Sequence, residues 1–431
     1  MKFDNMNQFF YQNGFLSCES VPLHKIARSL GTPVFVYSKQ ALFDSFKKLQ
    51  TGLRSVPHMI CFAAKANSNI EILRILKNAG AGVDIVSGGE LFRAQKAGVS
   101  AKKIIFSGVG KTAHEIRAAM SYQKNGIFSF NVESPAELEH LNQIATERKQ
   151  TVSVALRFNP NIAAKTHPYI ATGLKKGKFG ILKPQLIQLL RQAKKYPWIQ
   201  FNGISLHIGS QILSLSPLNQ AFKELGILIH EANKILPNPL RFVDLGGGIG
   251  IRYVDEIPPS PQRYCALILK HFGIHSPFKG KLLIVLEPGR SIVGNAGVLL
   301  TKILYRKQTG LKKFLIVDAA MNDLPRRALY QSIHSIIPVK KSHITGDSDQ
   351  FDIVGPVCES ADRFVTDWRL PKGLKNDDLL AVLSAGAYSF SMSSNYNSRP
   401  RAAEVLIDKK RFRVIRSRET YQDLIRGEKI F

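Results

Sequence analysis

The feature that most limits what this chain can fold into is an alternation running from residue 34 to residue 290. Short apolar, β-branched runs are followed repeatedly by longer segments with apolar residues every three or four positions. The strand-like runs fall at 59–63, 83–87, 103–107, 127–131, 152–159, 201–207, 241–245 and 282–287. Helical patterns lie between them at 70–78, 89–97, 113–120, 135–145, 184–195, 217–235 and 262–272, several opening on Ser, Asn or Pro. Eight strands, each returning through a helix-length connection, predict a parallel (β/α)8 barrel rather than an open sheet. Residues 34–37 and 40–49 are expected to lead into it.

Beyond residue 290 the texture changes. The runs at 297–305, 314–318, 351–354, 379–383 and 404–407 are short, β-rich and separated by turns, with little helical period. A chain of 431 residues suits two domains. The expected architecture is therefore α/β, with a barrel over 34–290 and an all-β domain formed by 1–33 and 291–431.

Composition narrows the classes. No stretch approaches the roughly 18–20 apolar residues that would span a membrane. Residues 1–20 carry no basic-then-apolar leader, so a cytoplasmic protein with no membrane partner is expected. Cys18, Cys61, Cys265 and Cys358 are scattered without a CxxC pair, which argues against a disulfide or metal framework. The net charge of +28 raises the question of nucleic acid. The basic residues, however, are spread along the whole chain, and the clusters at 175–178 and 411–418 lack aromatic interleaving. They read as a solvated surface that attracts anionic small ligands, and no nucleic-acid partner is expected.

In a barrel of this kind the chemistry sits at the C-terminal ends of the strands. Here those ends read Phe62-Ala-Ala-Lys65-Ala-Asn67, Asp84 into Ser87-Gly-Gly-Glu90, His207-Ile-Gly-Ser210-Gln211, Asp244-Leu-Gly-Gly-Gly248 and Glu287-Pro-Gly-Arg290-Ser291. Each has an ordinary reading: Lys65 as a solvated cap, His207 as a satisfied core histidine, Gly246 to Gly248 as a turn, Glu287 with Arg290 as a rim ion pair. All of these would have to coincide at one end of one barrel. A glycine run after a strand also lets bare N–H groups approach a phosphate, with Ser210 beside it.

The string Ala63-Ala-Lys65-Ala-Asn67-Ser68, with His207-Ile-Gly-Ser210-Gln211, Gly246-Gly-Gly248, Glu287-Pro-Gly-Arg290 and Cys358-Glu-Ser360, resembles the pyridoxal-phosphate-dependent enzymes of the alanine-racemase-like fold. Within that group the chain is similar to the diaminopimelate decarboxylases. The likeness covers nearly the whole chain in order and takes in Asn322-Asp-Leu324, Gly386-Ala-Tyr388 and Asn395-Tyr-Asn-Ser-Arg-Pro-Arg401. It departs at Phe62, where the family has Tyr, at Arg327, where it has Pro, and at Asp318-Ala-Ala, where it has Asp-Ala-Gly.

The resemblance implies pyridoxal 5'-phosphate as cofactor, meso-2,6-diaminopimelate as substrate, and L-lysine with CO2 as products. It makes Lys65 the Schiff-base lysine, with Asp84 among the cofactor-site residues, and Glu287 the partner of the pyridine nitrogen. His207 is expected on the ring face. Ser210, Gly246, Gly247, Gly248, Gly289 and Arg290 would hold the phosphate, with Tyr388 adding a hydroxyl. Taken alone Cys358 reads as a buried structural thiol; the family match makes it the proton donor, reaching the site from the second subunit of a homodimer. Arg290, Arg326 and Tyr330 match the family's clamp for the distal carboxylate, a role suited to the planar guanidinium fork. Tyr388 is also expected at the substrate, and Glu359 at the distal ammonium. Arg326 and Tyr330, four apart, would share one face of a short helix. Arg327 adds charge beside that clamp. The long connection at 159–180, with Lys165, His167 and Lys178, reads as a lid over the cofactor.

Ornithine, arginine or carboxynorspermidine decarboxylases of the same fold are the nearest rivals. Glu359 and the Arg326–Tyr330 pair argue against the diamine-forming members. A non-catalytic pyridoxal-phosphate carrier is the rival from another class, and retention of Lys65, Glu287 and Cys358 argues against it.

Overall fold

The computed structural model describes residues 8–163, 172–173, 177–341 and 347–430. The chain divides into two compact units: one of Ser45–Ile251 with Ile257–Ser291, the other of residues up to Asp44, Arg252–Glu256 and those from Ile292 onward.

The first unit is the barrel. Its strands are His58–Ala63, Gly82–Ile85, Ile104–Phe106, Ser129–Val132, Val152–Asn159, Ile199–Leu206, Phe242–Asp244 and Leu283–Leu286. Each pairs in parallel with the next, and the eighth pairs with the first, so the sheet closes. Closure leaves no exposed edge and sends all eight C-terminal ends to one mouth. Cys61, Ile105, Ala155 and Phe242, from strands one, three, five and seven, pack together with Val285 inside the barrel. That is the alternate-strand layering such a barrel uses to fill its centre.

The returning helices start where the sequence marks them. Asn69 accepts from the Glu71 N–H, Ser87 from Glu90, Ser134 from Glu137 and Ser260 from Arg263. Thr112 and Glu115 form a reciprocal capping box. Each cap satisfies a backbone donor that the helix cannot, at about 1 kcal/mol apiece.

The second unit is built on β-structure. Its large sheet runs in the order Arg363–Pro371, Ser348–Val354, Lys312–Val317, Gly297–Thr309, Val34–Ser38, Ala403–Asp408, Arg411–Arg416. Ile336–Pro338 and Leu379–Val382 join it beside Gly297–Thr309. The hairpin Phe9–Gln12 and Phe15–Cys18 is tied to the chain near Val339, whose carbonyl accepts from Leu16 at 2.7 Å. Phe9, Leu16, Cys18 and Val21 share a core with Val298, Leu300 and Val405.

The segment Val34–Ser38 corrects the sequence reading, which began the barrel there. It pairs antiparallel with Gly297–Thr309 and parallel with Ala403–Asp408, in the middle of the β sheet. All five of its residues are buried. A strand covered on both faces reads as a continuous apolar run, and such a run does not say which sheet it enters. No helix among the described residues is long and apolar enough to cross a membrane.

One glycine tests the closeness of the barrel strands. Gly203 lies opposite Phe242, and a Cβ there would come within 2.5 Å of that ring. Overpacking of this kind costs about 1–3 kcal/mol. Gly203→Ala should therefore lower the urea midpoint of the full chain; an unchanged midpoint would show that strands six and seven have slack.

Candidate active site

Lys65 follows the first barrel strand in a short 3-10 turn, Ala64–Ala66. Its Nζ lies 2.8 Å from Asp84 Oδ2, and Asp84 is fully buried at the end of strand two. The amine is thereby parked at the mouth in an ion pair with a buried carboxylate, its side chain 35% exposed.

Behind it lies an acidic pair. Asp244 ends strand seven and Glu287 follows strand eight, both buried. Burial pushes the Glu287 carboxyl well above the usual range, and the charges of Asp244 and Asp84 push it the same way. Asp244 is raised by burial too, but the Glu287 bond, Asn131 and the Gly246 N–H draw it back down. Of the two, Glu287 is the carboxyl pushed further toward its protonated form. One buried amide ties the pair together: Asn131 Nδ2 lies 2.7 Å from Asp244 Oδ2 and 3.0 Å from Glu287 Oε1, with the Ser107 hydroxyl 3.1 Å from Glu287 Oε1.

Lys65, Glu287, Asn131, Ser107 and His207 line one cavity of about 300 Å³, together with Ser205, Arg157, Thr172 and Phe179. Desolvation, then the charges of Arg157 and Lys65, hold His207 well below its ordinary value, so its imidazole is neutral. Its Nδ1 accepts from the Gly247 N–H at 3.3 Å, and its carbonyl accepts from Thr172 Oγ1 at 3.0 Å. Arg157 is fixed by Glu133 at 2.6 Å, and the Glu133 carboxylate also accepts from the Gly180 N–H at 2.9 Å.

The glycine run is packed more tightly than its sequence shows. Gly246 adopts φ +62°, and a Cβ there would meet Leu206 O at 2.4 Å; one on Gly247 would meet Glu287 O at 2.2 Å. Two of the three N–H groups already have acceptors, Gly246 on Asp244 and Gly247 on His207. Beside the run, the Arg290 guanidinium donates to Ser210 Oγ at 3.0 Å. A Cβ on Gly289 would meet that of Ala66 at 2.9 Å, so the loops after strands one and eight touch there.

The remaining expected residues lie in the β unit. Arg326 and Tyr330 bound a five-residue helix, with the guanidinium 5.8 Å from the Tyr330 ring centroid. Cys358 is exposed, not the buried thiol of the ordinary reading, and its N–H donates to Asn397 Oδ1 at 2.9 Å. Glu359, also exposed, accepts from the Tyr396 hydroxyl, a bond that raises the Tyr396 pKa. Tyr388 is half-buried at a left-handed φ of 55°.

A family model for the pyridoxal-binding domain of pyridoxal-dependent decarboxylases matches residues 40–294. The chain is 45% identical to the diaminopimelate decarboxylase of Pseudomonas aeruginosa, over 99% of both chains. To that of Vibrio cholerae it is 44% identical, over 97% of this chain and 98% of the other. The chain belongs to the diaminopimelate decarboxylase family. Among solved structures, the diaminopimelate decarboxylase of Helicobacter pylori in complex with L-lysine superposes with a TM-score of 0.88 at 40% identity, covering 94% and 99% of the two chains. That of M. jannaschii, also with L-lysine, gives 0.91 at 35% identity over 98% of each. A lysine/ornithine decarboxylase from Vibrio vulnificus shares the fold at 21% identity and a TM-score of 0.77.

Two departures from the family pattern find a place in the structure. Phe62 is wholly buried in strand one. Arg327 donates to the Gln331 carbonyl at 2.9 Å, capping the short helix, and that bond lies at the surface. Of the lid expected at 159–180, Lys165 and His167 lie outside the described residues, as does Lys175; Thr172 and Phe179 line the cavity. Asn131, Ser107, Ser205 and Arg157 escaped the sequence reading. Their signal was polar residues alternating within otherwise apolar strands, as in Ser129-Phe-Asn131.

The acidic pair makes a prediction for the cofactor-free protein. A carboxyl whose folded pKa is raised favours folding below its ordinary range, and that stability is lost as pH climbs toward the raised value. Glu287→Gln keeps the donor to Asp244 without the ionisation. The variant should melt above the wild type by a margin that widens as the pH rises above the ordinary carboxyl range, worth up to roughly 1.4 kcal/mol per pH unit. A margin independent of pH would contradict the assignment.

Proposed function

We propose that this chain decarboxylates meso-2,6-diaminopimelate to L-lysine and CO2, with pyridoxal 5'-phosphate bound in the barrel. The observation that carries the reading is that a lysine amine and a buried carboxyl, raised above its usual range by desolvation, open on one cavity. Those groups fit the cofactor: an aldehyde needs an amine, and a pyridine nitrogen needs a proton-holding acid. When bound, pyridoxal phosphate supplies a ring that takes up the electrons left behind as the carboxylate departs.

The chain's own residues do the rest. Lys65 would hold the cofactor, with Asp84 orienting its amine. Glu287 would hold the proton at the ring nitrogen, steadied by Asn131 and Ser107. His207, being neutral, would offer its face to the ring without adding positive charge. Ser210, Arg290, Gly289 and the run Gly246, Gly247, Gly248 would take the phosphate, aided by Tyr388. Arg290, Arg326 and Tyr330 would bind the distal carboxylate, Glu359 the distal ammonium, and Tyr388 the substrate as well. In a homodimer with shared active sites, the exposed Cys358 thiol would deliver a proton, from the partner subunit, to the carbon that loses CO2.

Purified protein incubated with pyridoxal phosphate and meso-diaminopimelate should release lysine and CO2 in equal amounts. No lysine, alongside turnover of ornithine or carboxynorspermidine, would overturn the substrate. Lys65→Ala should lose both the bound-cofactor absorbance and turnover. Cys358→Ala should keep the absorbance and slow turnover by about 100-fold or more, the usual worth of a positioned acid. A fully active Cys358→Ala would remove that residue from the mechanism.

A further inference from the structure

The helix Arg326–Tyr330 ends at Gln331, whose left-handed φ of 54° reverses the chain. His334, three residues on, comes back against the start of the helix and is 3% exposed. Its Nδ1 lies 2.8 Å from the Leu383 carbonyl, a group that only accepts, so Nδ1 carries the hydrogen. Nε2 is then an acceptor, and it takes the Nε–H of Arg326 at 3.2 Å. Ser332 Oγ accepts from Nη2 of the same guanidinium at 3.3 Å. Tyr253 braces both: the guanidinium carbon sits 4.9 Å from its ring centroid, and His334 meets it in a T-shaped contact at 4.8 Å.

We propose that His334 is a positioning residue for substrate specificity, its single tautomer setting the rotation of the Arg326 fork before the distal carboxylate arrives. The inference rests on the reading of Arg326 as part of that clamp. Bidentate binding needs two parallel N–H groups in a fixed plane, and an arginine left to swing surrenders side-chain entropy on binding. An uncharged acceptor orients the fork without drawing on its charge. A carboxylate in the place of His334 would hold the guanidinium as firmly but would compete with the substrate's own.

The test uses the cofactor-loaded full chain, with His334→Phe and His334→Gln beside Arg326→Gln. His334→Phe should raise KM for meso-diaminopimelate about tenfold or more, the range for a buried hydrogen bond to a charged group, with kcat held within about threefold. His334→Gln, which restores an acceptor near the Nε2 position, should recover most of that loss and gives the answer if the Phe variant does not fold. In the Arg326→Gln background, His334→Phe should add little, since the two act as one unit. If Arg326→Gln raises KM while neither His334 variant does, the positioning role falls and the clamp stands. If Arg326→Gln leaves KM unchanged, the clamp reading itself falls and this inference with it. A His334→Phe effect that appears in full on top of Arg326→Gln, or that lowers kcat as much as it raises KM, overturns the inference by showing a structural role.

Discussion

Two carboxyl groups buried side by side are what the rest of the barrel site is arranged around. Asp244 and Glu287 sit at the ends of adjacent strands, where two negative charges could not both persist in a low-dielectric interior. The structure answers with donors from three directions: Asn131 from strand four, Ser107 after strand three, and the Gly246 amide. Gly246 must be glycine for that last bond, since its φ is +62° and its Cβ position is already occupied by the Leu206 carbonyl. Asp84 and Lys65, at the neighbouring strand ends, add one charge of each sign to the same field. In the proposed function, that raised carboxyl is the group that shares a proton with the cofactor's ring nitrogen.

Much of this was legible in the sequence, for a physical reason. A closed parallel barrel is buried on both sides, so its strands announce themselves as short apolar runs between amphipathic helices, and polar residues at the C-terminal ends stand out. Lys65, His207, Gly246 to Gly248 and Glu287 were visible on those grounds. Asn131 was not: its one sequence signal was a polar residue alternating within an apolar strand, and only the shape of the barrel shows that it points at two carboxyls from distant parts of the chain. His334 was invisible for a related reason: its role depends on a left-handed turn at Gln331, which no helix or strand period encodes. Val34–Ser38 misled because five buried residues fit a barrel strand and a central sheet strand equally well.

The two units also carry different chemistry. The barrel unit holds the groups whose protonation is set by burial: Glu287 above its usual range and His207 below. The β unit carries Arg326, locked among His334, Ser332 and two tyrosine rings, and the exposed pair Cys358 and Glu359 on the turn that Asp362 organises through the Val357 N–H at 2.7 Å. Gly355 opens that turn at a point where a Cβ would come within 2.3 Å of the Asp362 carboxylate. The Cys358 thiol is exposed on that turn rather than part of a core.

In the proposed function, everything at the barrel mouth depends on Lys65 being the point at which the cofactor is held. Borohydride reduction of the protein loaded with pyridoxal phosphate, followed by peptide mass mapping, tests it most directly. One dominant modified peptide is expected, with the added mass on Lys65 in the stretch Phe62-Ala-Ala-Lys65-Ala-Asn67. Modification at another lysine, or spread evenly over many of them with Lys65 untouched, would contradict it.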